Sequence, residues 1–464
     1  MTSLLRSFAL AACASLGLAS SANAFCGLYV AKADGQLFNE ASKVVMMRDG
    51  DRTVITMAND YQGEAEDFAM VIPTPSVLKR DQINVAENGL IDHLDAYTAP
   101  RLVEYYDENP CERRLRMQMA REEAMDGATA ALSSAARAKA LGVTVEAEYT
   151  IGEYDILILS AKESDGLQVW LDENGYKTPE AAKPVLASYL ARGMKFFVAK
   201  VNLEEKAKLG STYLRPLQIA FESEKFMLPI RLGTVNAKGK QDLLLFTLTR
   251  SGRVETSNYR TASIPSNMDI PLYVQKKFRA FYKAMFETAV ERTGGRAVLT
   301  EYAWDMNWCD PCAADPLSAA QLRQLGVFWL AGGENKPAPG GAIRRPGPSA
   351  ARDVFVTRLH VRYDGETFPE DLRLMETGDK RNFQGRYVTR HPFAGQAECP
   401  AGEAYRRALA KAYAKQAATL ANLTGWDIDE IRAEMAANGQ KAPTGQGGGD
   451  VNGPDWWKQI WRDR

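Results

Sequence analysis

The sequence predicts an α+β fold, in which antiparallel strand hairpins pack with amphipathic helices and a C-terminal helical segment and flexible tail follow. Two observations predict it. Segments of alternating apolar and polar residues come in clusters separated by helical blocks, and they lack the regular strand–helix–strand rhythm of a doubly wound sheet.

The first predicted elements are a hairpin, a strand and two helices. The stretch from Lys43 to Asn59 has two strand-like runs around an Asp-Gly turn, which is a strong hairpin signal. Asp67 to Pro73 predicts a third strand. An amphipathic helix is predicted around Ile91 to Tyr106, with an interruption near Pro100, and an alanine-rich helix from about Arg113 to Leu141.

The middle of the chain predicts strands followed by a long helix. Val145 to Ile151 and Ile156 to Ser160 alternate like strands, and a second hairpin is predicted from Phe226 to Thr249. From Tyr273 to Arg292, aromatic residues recur at spacings of three and four. This spacing predicts a helix that packs its aromatic face against a sheet.

The C-terminal elements carry clear boundary signals. Val354 to Tyr363 alternates as a strand, and an alanine-rich helix from Gly402 to Ala421 is predicted to end near Gly425. The last helix has Asp427 as its predicted N-cap and Glu430 to complete a capping box.

Domain organisation follows from these elements and from the distribution of glycine and proline. We predict a cleaved signal peptide, a main α+β domain with an irregular Gly/Pro-rich loop, a helical segment and a flexible tail. The predicted boundaries are 1–24 for the signal peptide, 25–400 for the main domain with its loop at 331–352, 401–438 for the helical segment and 439–464 for the tail.

The N-terminus has the three parts of an export signal. Arg6 is its lone charge, Ser7 to Ala19 is apolar, and Ala22-Asn23-Ala24 is typical of a cleavage site. Cleavage after Ala24 by a Sec-type route predicts a periplasmic or secreted protein. The alternative is lipidation at Cys13, but the apolar run before Cys13 is short for a signal peptide.

Charge and hydropathy restrict the partners. The net charge is -1, and a near-neutral balance argues against electrostatic capture of nucleic acid. After the signal, no apolar run approaches the roughly 20 residues of a membrane helix, so no transmembrane span is expected in the mature chain.

The cysteines predict a disulfide framework. In an exported chain the default role of cysteine is a structural bridge. Several pairings are compatible with the sequence, and an odd thiol remains. The cysteines left after signal cleavage are Cys26, Cys111, Cys309, Cys312 and Cys399.

Asn307 to Cys312 reads N-W-C-D-P-C, which has the spacing of a thioredoxin-like active site. Such a site needs its first cysteine at a helix N-terminus. Here Asp315-Pro316 predicts a helix from Pro316 to Leu325, several residues after Cys309. Asp310 also opposes ionisation of either thiol. A structural role is favoured, and catalysis by Cys309 and Cys312 is the alternative.

No metal site or cofactor is predicted. A zinc site of four thiolates would need a second C-x-x-C motif, which the chain lacks. Its histidines, His93, His360 and His391, are far apart in sequence.

Two features predict binding. Arg358, His360 and Arg362 share one face of a predicted strand and form a candidate anion-binding patch, joined by Arg386 and Arg390 on a later segment. The favoured interpretation is a solvated strand face paired with surface acids, and anion binding is the alternative.

The second feature is the tryptophan-rich end of the tail. Contact with a partner or a membrane interface and folding back onto the protein's own surface are equally compatible with it. Its residues are Trp456, Trp457, Ile460 and Trp461.

Several stretches together resemble an exported bacterial family known as domain of unknown function 2330, from Phe25 to about Cys399. The resemblance implies that N-W-C-D-P-C is one signature of a large domain, not the active site of an inserted thioredoxin module. It implies no particular activity, substrate or catalytic residue. The stretches are F-C-G-L-Y-V-A-K-A-D, M-A-N-D-Y-Q-G, L-P-I-R-L-G, E-Y-A-W-D-M-N-W-C-D-P-C, F-V-T-R-L-H-V-R-Y-D and F-Q-G-R-Y-V.

These observations predict a non-catalytic exported protein that is stabilised by disulfides and acts by binding. The alternative is a periplasmic thiol-disulfide oxidoreductase using Cys309 and Cys312. A hydrolase that uses carboxylates has no positive support in the sequence.

Overall fold

The computed structural model describes residues 28–31, 38–62, 68–111, 144–160, 164–173, 176, 178–202, 204–205, 208, 214–235, 237, 239–308, 310, 314–330 and 353–441. Several predictions fall outside these residues. They concern the signal peptide, the alanine-rich helix at 113–141, the loop at 331–352, the tryptophan-rich tail, and the cysteines Cys26, Cys309 and Cys312.

The secondary structure is mixed, in agreement with the predicted α+β class. The strands of the first half are β1 (Leu28–Ala31), β2 (Phe38–Asp49), β3 (Arg52–Gln62), β4 (Phe68–Thr74), β5 (Ile83–Val85), β6 (Arg101–Tyr106), β7 (Thr144–Ile151), β8 (Tyr154–Ser160), β9 (Lys195–Val201) and β10 (Leu217–Glu222). Those of the second half are β11 (Met227–Leu228), β12 (Gln241–Thr249), β13 (Val254–Thr256), β14 (Arg260–Ser263), β15 (Met268–Asp269), β16 (Ala297–Asp305), β17 (Phe355–Tyr363), β18 (Leu372–Glu376), β19 (Phe383–Gln384) and β20 (Arg386–His391). The α-helices are α1 (Asn88–Thr98), α2 (Ser164–Glu173), α3 (Ala182–Leu190), α4 (Arg231–Val235), α5 (Phe278–Arg292), α6 (Ala319–Gln324), α7 (Pro400–Thr424) and α8 (Ile428–Ala437).

Two large sheets organise the described residues. One is a five-stranded antiparallel sheet of order β1-β4-β9-β8-β7, and the other is a nine-stranded mixed sheet of order β14-β16-β17-β12-β2-β3-β10-β5, with β19 added beside β16. Two small sheets, β11-β18-β13 and β15-β20-β6, flank them.

The two large sheets pack face to face. Met46 and Leu245 of the larger sheet share one buried cluster with Met70 and Phe197 of the smaller sheet. Along β2 the neighbouring side chains point to the opposite face, where Val45 belongs to a different cluster. The central strand is therefore buried on both faces, as its V-V-M-M sequence allows.

Helices cover the outer face of each sheet, so the molecule has four layers. The smaller sheet packs against α2 and α3. The larger sheet packs against α1 and α6 at one end, and against α5, α7 and α8 at the other. The aromatic residues of α5 face this core, with Phe281 0% exposed, which confirms the packing predicted from their spacing.

Several predicted elements are confirmed. The hairpin of β2 and β3 turns at Gly50, and β4, β7, β8 and β17 form where strands were predicted. Helix α7 ends at Gly425, whose φ of 71° is left-handed, and Asp427 caps α8 by accepting from the amides of Asp429 and Glu430.

The helix predicted to reach Tyr106 was wrong in its second half. Helix α1 ends at Thr98, and Arg101–Tyr106 forms β6, which pairs in parallel with β20. Pro100 disfavours helical geometry in the residue before it, and R-L-V-E-Y-Y is suited to a strand.

The second predicted hairpin was also wrong. Arg231–Val235 forms helix α4, and β12 instead lies between β2 and β17. The buried carboxylate of Asp371 accepts from the amides of Ile230 and Arg231 at 3.2 and 3.3 Å. A carboxylate at this position stabilises the first turn of a helix.

The helix predicted from Pro316 begins later. Its N-cap is Ser318, which exchanges hydrogen bonds with Gln321 in a capping box, and α6 starts at Ala319. A hydroxyl with a glutamine three residues on satisfies two backbone donors at once, which Asp315 does not.

The C-terminal helices pack against the rest of the described chain. Leu420 of α7 and Ile431 of α8 share a buried cluster with Phe281 of α5 and Leu299 of β16. The predicted domain boundary at 400 stays a prediction.

Candidate functional site

A β-bulge in β16 positions a buried cluster of charged side chains. Leu299 pairs with His360 and Thr300 with Leu359, but Tyr302 pairs with Arg358, so Glu301 is an extra residue in the ladder. A bulge of this kind redirects a side chain. It places Glu301 beside both Arg358 and His360.

The Glu301 carboxylate is 0% exposed and accepts three hydrogen bonds. Arg358 Nε donates to Oε2 at 2.6 Å, and His360 Nδ1 donates to Oε1 at 2.7 Å. The Tyr282 hydroxyl also donates to Oε1. Because the carboxylate is the acceptor, the imidazole carries its hydrogen on Nδ1.

The electrostatics keep this carboxylate ionised. Burial by itself would raise the pKa of Glu301, but the adjacent His360 and Arg358 outweigh it and hold that pKa at about 2. Burial, together with the neighbouring Glu301 charge, raises the pKa of Tyr282 well above its usual value. The phenol is therefore a neutral donor to a charged acceptor.

Arg358 joins helix α1 to this site. Its Nη1 donates to Asp95 Oδ1 at 2.5 Å and to the Asp95 carbonyl at 2.9 Å. Lys43 lies 2.8 Å from the other Asp95 oxygen. Burial would raise the pKa of Asp95, but Arg358 and Lys43 lower it overall. We call Glu301, Arg358, His360, Tyr282 and Asp95 the Glu301 cluster.

The outer side of the cluster is partly open. The His360 ring stacks on Phe286 with 3.7 Å between centroids, and its Nε2 lies 3.9 Å from Asp242 Oδ1. Arg362 makes a bidentate pair with Asp242 at 2.8 and 2.7 Å. The guanidinium of Arg362 also lies over Phe286. The His360 imidazole is thus held in place by the hydrogen bond from Nδ1 to Glu301 and by stacking on Phe286.

The structure brings together the three residues of the predicted anion-binding patch, but each contacts a carboxylate. Arg358 is 5% exposed, so it is buried rather than presented on a solvated face. Arg386 and Arg390 lie on β20 in a different sheet, where they bind Asn267 and Asp269. Anion binding by the patch stays a prediction.

The sequence analysis missed Glu301, Asp95 and Tyr282. One feature of the sequence could have indicated Glu301, because it is the only acid inside the apolar run V-L-T-E-Y-A-W. Such a residue is either exposed or paired. Nothing local in the sequence indicates that its partners are Arg358 and His360.

A disulfide joins the segment after β6 to the start of α7. Cys111, just after β6, is bonded to Cys399, the N-cap residue of α7, across 288 positions of sequence. These two belong to the predicted framework. The pairing of Cys26, Cys309 and Cys312 lies outside the described residues.

The surroundings of the N-W-C-D-P-C stretch are partly described. Trp308 is 67% exposed. The Asp310 carboxylate accepts from the Tyr302 hydroxyl at 3.0 Å and from the Gln384 amide at 2.7 Å. Asp310 is therefore anchored to the larger sheet between β16 and β19.

The described residues provide neither a metal site nor a membrane-spanning helix. No group of three or more His, Cys, Asp or Glu side chains there has an arrangement that would hold a metal ion. No helix in that part of the chain combines the length and the apolar character needed to cross a membrane.

Comparisons with other proteins give one match. No curated protein and no solved structure is significantly similar to the chain. A family model matches residues 20–375, a span that includes Glu301, Arg358 and His360 as well as N-W-C-D-P-C. The chain therefore belongs to the bacterial family described as "Uncharacterized protein conserved in bacteria (DUF2330)".

Proposed function

We propose that this member of the family is an exported protein, cleaved after Ala24, that is stabilised by disulfides and acts by binding rather than by catalysis. The observation that carries the proposal is the Cys111–Cys399 bridge. Disulfides of this kind persist in oxidising compartments and are rare in the cytoplasm. The export signal at the N-terminus supports the same compartment.

The Glu301 cluster supports a structural rather than a catalytic role for its charges. A catalytic site leaves donors or acceptors available for a substrate. Here the Glu301 carboxylate already accepts from Arg358, His360 and Tyr282, and Arg358 is also used by Asp95. The cluster fastens α1 and α5 to the larger sheet, and binding is then a task for the outer surface.

The alternative is a thiol-disulfide oxidoreductase. With Cys111 bonded to Cys399, Cys309 retains Cys312 and Cys26 as possible partners. Two features weigh against a reactive thiol. The nearest described helix after the pair begins only at Ala319, and the anchored Asp310 carboxylate opposes thiolate formation.

One experiment tests both the exported binding protein and the oxidoreductase alternative. The protein is recovered from its native compartment, its N-terminus is sequenced, its disulfides are mapped by mass spectrometry, and the Cys309/Cys312 pair is titrated against glutathione. We expect Phe25 at the N-terminus and a Cys111–Cys399 peptide. A Cys309–Cys312 bond with a potential of about -120 to -270 mV would favour the oxidoreductase. A potential below about -300 mV is typical of a structural bridge. An unprocessed chain with reduced cysteines would contradict export.

A further inference from the structure

The two sulfurs of the Cys111–Cys399 disulfide lie in different surroundings. Cys111, which follows β6, is exposed, whereas Cys399 is partly buried at the start of α7. A thiol that approaches from solvent therefore reaches Cys111 more readily. Because thiol–disulfide exchange depends on access to the sulfur that is attacked, this difference favours attack at Cys111.

Cys399 is placed to be the leaving group. It is the N-cap residue of α7, a helix of 25 residues, and its Sγ accepts from the amide of Gly402 at 3.3 Å. The amides and the dipole at a helix N-terminus stabilise a thiolate, and a sulfur whose thiolate is stabilised leaves faster in exchange. Access and leaving-group stability thus select the same direction, with attack on Cys111 and release of Cys399.

The start of α7 is closely packed and carries a nearby positive charge. Gly402 leaves no room for a side chain, because a Cβ there would collide with the Ala397 carbonyl. That carbonyl accepts from Arg406 at 2.9 Å, which brings a guanidinium to this end of the helix. The acids beside it, Glu398 and Glu403, are both exposed, so solvent screens their repulsion of a thiolate.

A second contact joins the same two segments. The Tyr405 hydroxyl of α7 donates to Asp107 Oδ2 at 2.6 Å and accepts from the Phe393 amide at 2.9 Å. Burial, together with the hydrogen bond to Asp107, raises the pKa of Tyr405 to about 12, so the phenol is a neutral donor at neutral pH. This contact keeps the end of β6 beside α7 when the sulfur–sulfur bond opens, and the bond can then form again.

We propose that the Cys111–Cys399 bridge is a redox latch, which a small-molecule thiol such as glutathione opens at Cys111. The thiolate of the small molecule attacks Cys111 Sγ and forms a mixed disulfide there. The bond to Cys399 breaks, and its electron pair stays on Cys399 Sγ as a thiolate. Attack of this thiolate on the mixed disulfide reverses the step and releases the small thiol.

Full reduction needs a second molecule of the small thiol. Its thiolate attacks the small-molecule sulfur of the mixed disulfide, and Cys111 leaves as a thiolate. Two small thiols are then oxidised to one disulfide, and the bridge is reduced to two thiols. The proposal goes beyond the binding function proposed above, because it makes one stabilising bond of the fold sensitive to thiols.

The test is glutathione exchange on the full mature protein, followed by peptide mass spectrometry. The oxidised protein is treated with millimolar glutathione, samples are trapped at successive times with N-ethylmaleimide, and the Cys111 and Cys399 peptides are identified. We expect glutathione on Cys111 and N-ethylmaleimide on Cys399 in the first product. Glutathione mainly on Cys399, equal amounts on the two cysteines, or no opening of the folded protein would overturn the proposal.

The role of the helix end is tested on the fully reduced protein with iodoacetamide. Alkylation of Cys399 should reach half of its maximal rate at a pH about one unit or more below that for Cys111, because a helix N-terminus stabilises a thiolate. The same pH profile at both cysteines would refute Cys399 as the leaving group.

Tyr405→Phe tests whether the latch closes again. After glutathione is removed from the mixed disulfide, the bridge should re-form about threefold or more slowly in this variant, since loss of the hydrogen bond to Asp107 lowers the effective concentration of one cysteine beside the other. Tyr413→Phe is the matched control, because Tyr413 is on the same helix but packs in the buried cluster with Phe281. Equal rates in the two variants would contradict reversible closure.

Failure of the latch and failure of the export proposal are distinguishable. The latch concerns which sulfur is attacked when the bridge opens. Export depends on the processed N-terminus and on the presence of the bridge in protein recovered from its native compartment.

Discussion

Replacement of Glu301 by glutamine should strongly destabilise the protein. The substitution preserves shape but removes the negative charge that Arg358 and His360 contact at 2.6 and 2.7 Å. Arg358, which is only 5% exposed, is then left with Asp95 as its remaining ion-pair partner in the Glu301 cluster. Removing one partner of a buried pair costs about 3–5 kcal/mol.

The cost of Glu301→Gln in stability should also depend on pH. The pKa of Glu301 is about 2 in the folded protein against an ordinary 4.5, a difference equivalent to about 3 kcal/mol. Because the folded pKa is the lower one, this stabilisation is fully present above pH 4.5 and is lost as the pH falls towards 2. The gap in stability between Glu301→Gln and the unaltered protein should therefore narrow over that range.

The assay is urea unfolding followed by tryptophan fluorescence at several pH values. The matched control is Glu287→Gln, because Glu287 is 43% exposed and lies 3.8 Å from Arg362. An exposed pair of this kind contributes about 0–1 kcal/mol. If Glu301→Gln costs no more than Glu287→Gln, or if its cost does not change between pH 5 and 2, the Glu301 cluster does not stabilise the fold as argued.

Two further predictions concern the disulfide and the glycines. Cys111→Ser or Cys399→Ser should lower the free energy of unfolding by about 2–5 kcal/mol, and a reductant should then have little further effect on the melting temperature; equal melting of variant and unaltered protein would contradict this. Gly326→Ala should destabilise by more than about 1 kcal/mol, because φ is 92° and the new Cβ would lie 2.7 Å from Val54. Gly89→Ala, in open space within α1, should instead stabilise by about 0.5 kcal/mol, and urea midpoints of the two variants that move in the same direction would refute the contrast.

The sequence by itself determined the elements whose signals are local. The hairpin at Gly50, the end of α7 at Gly425 and the N-cap at Asp427 were all predicted, and all are present. Each depends on residues within about one turn, because a left-handed glycine or a capping carboxylate acts on its own backbone. The apolar alternation of β17 was predictable for the same reason.

Tertiary structure alone decided which elements meet. Arg101 pairs with Arg386 in a parallel ladder, and this pairing decides which strand β6 lies beside. The carboxylate that accepts from the first amides of α4 comes from Asp371, 140 residues further along the chain. The Glu301 cluster needs the β16 bulge and its register with β17. The free energies of these contacts come from burial and charge pairing between distant segments, which no local pattern records.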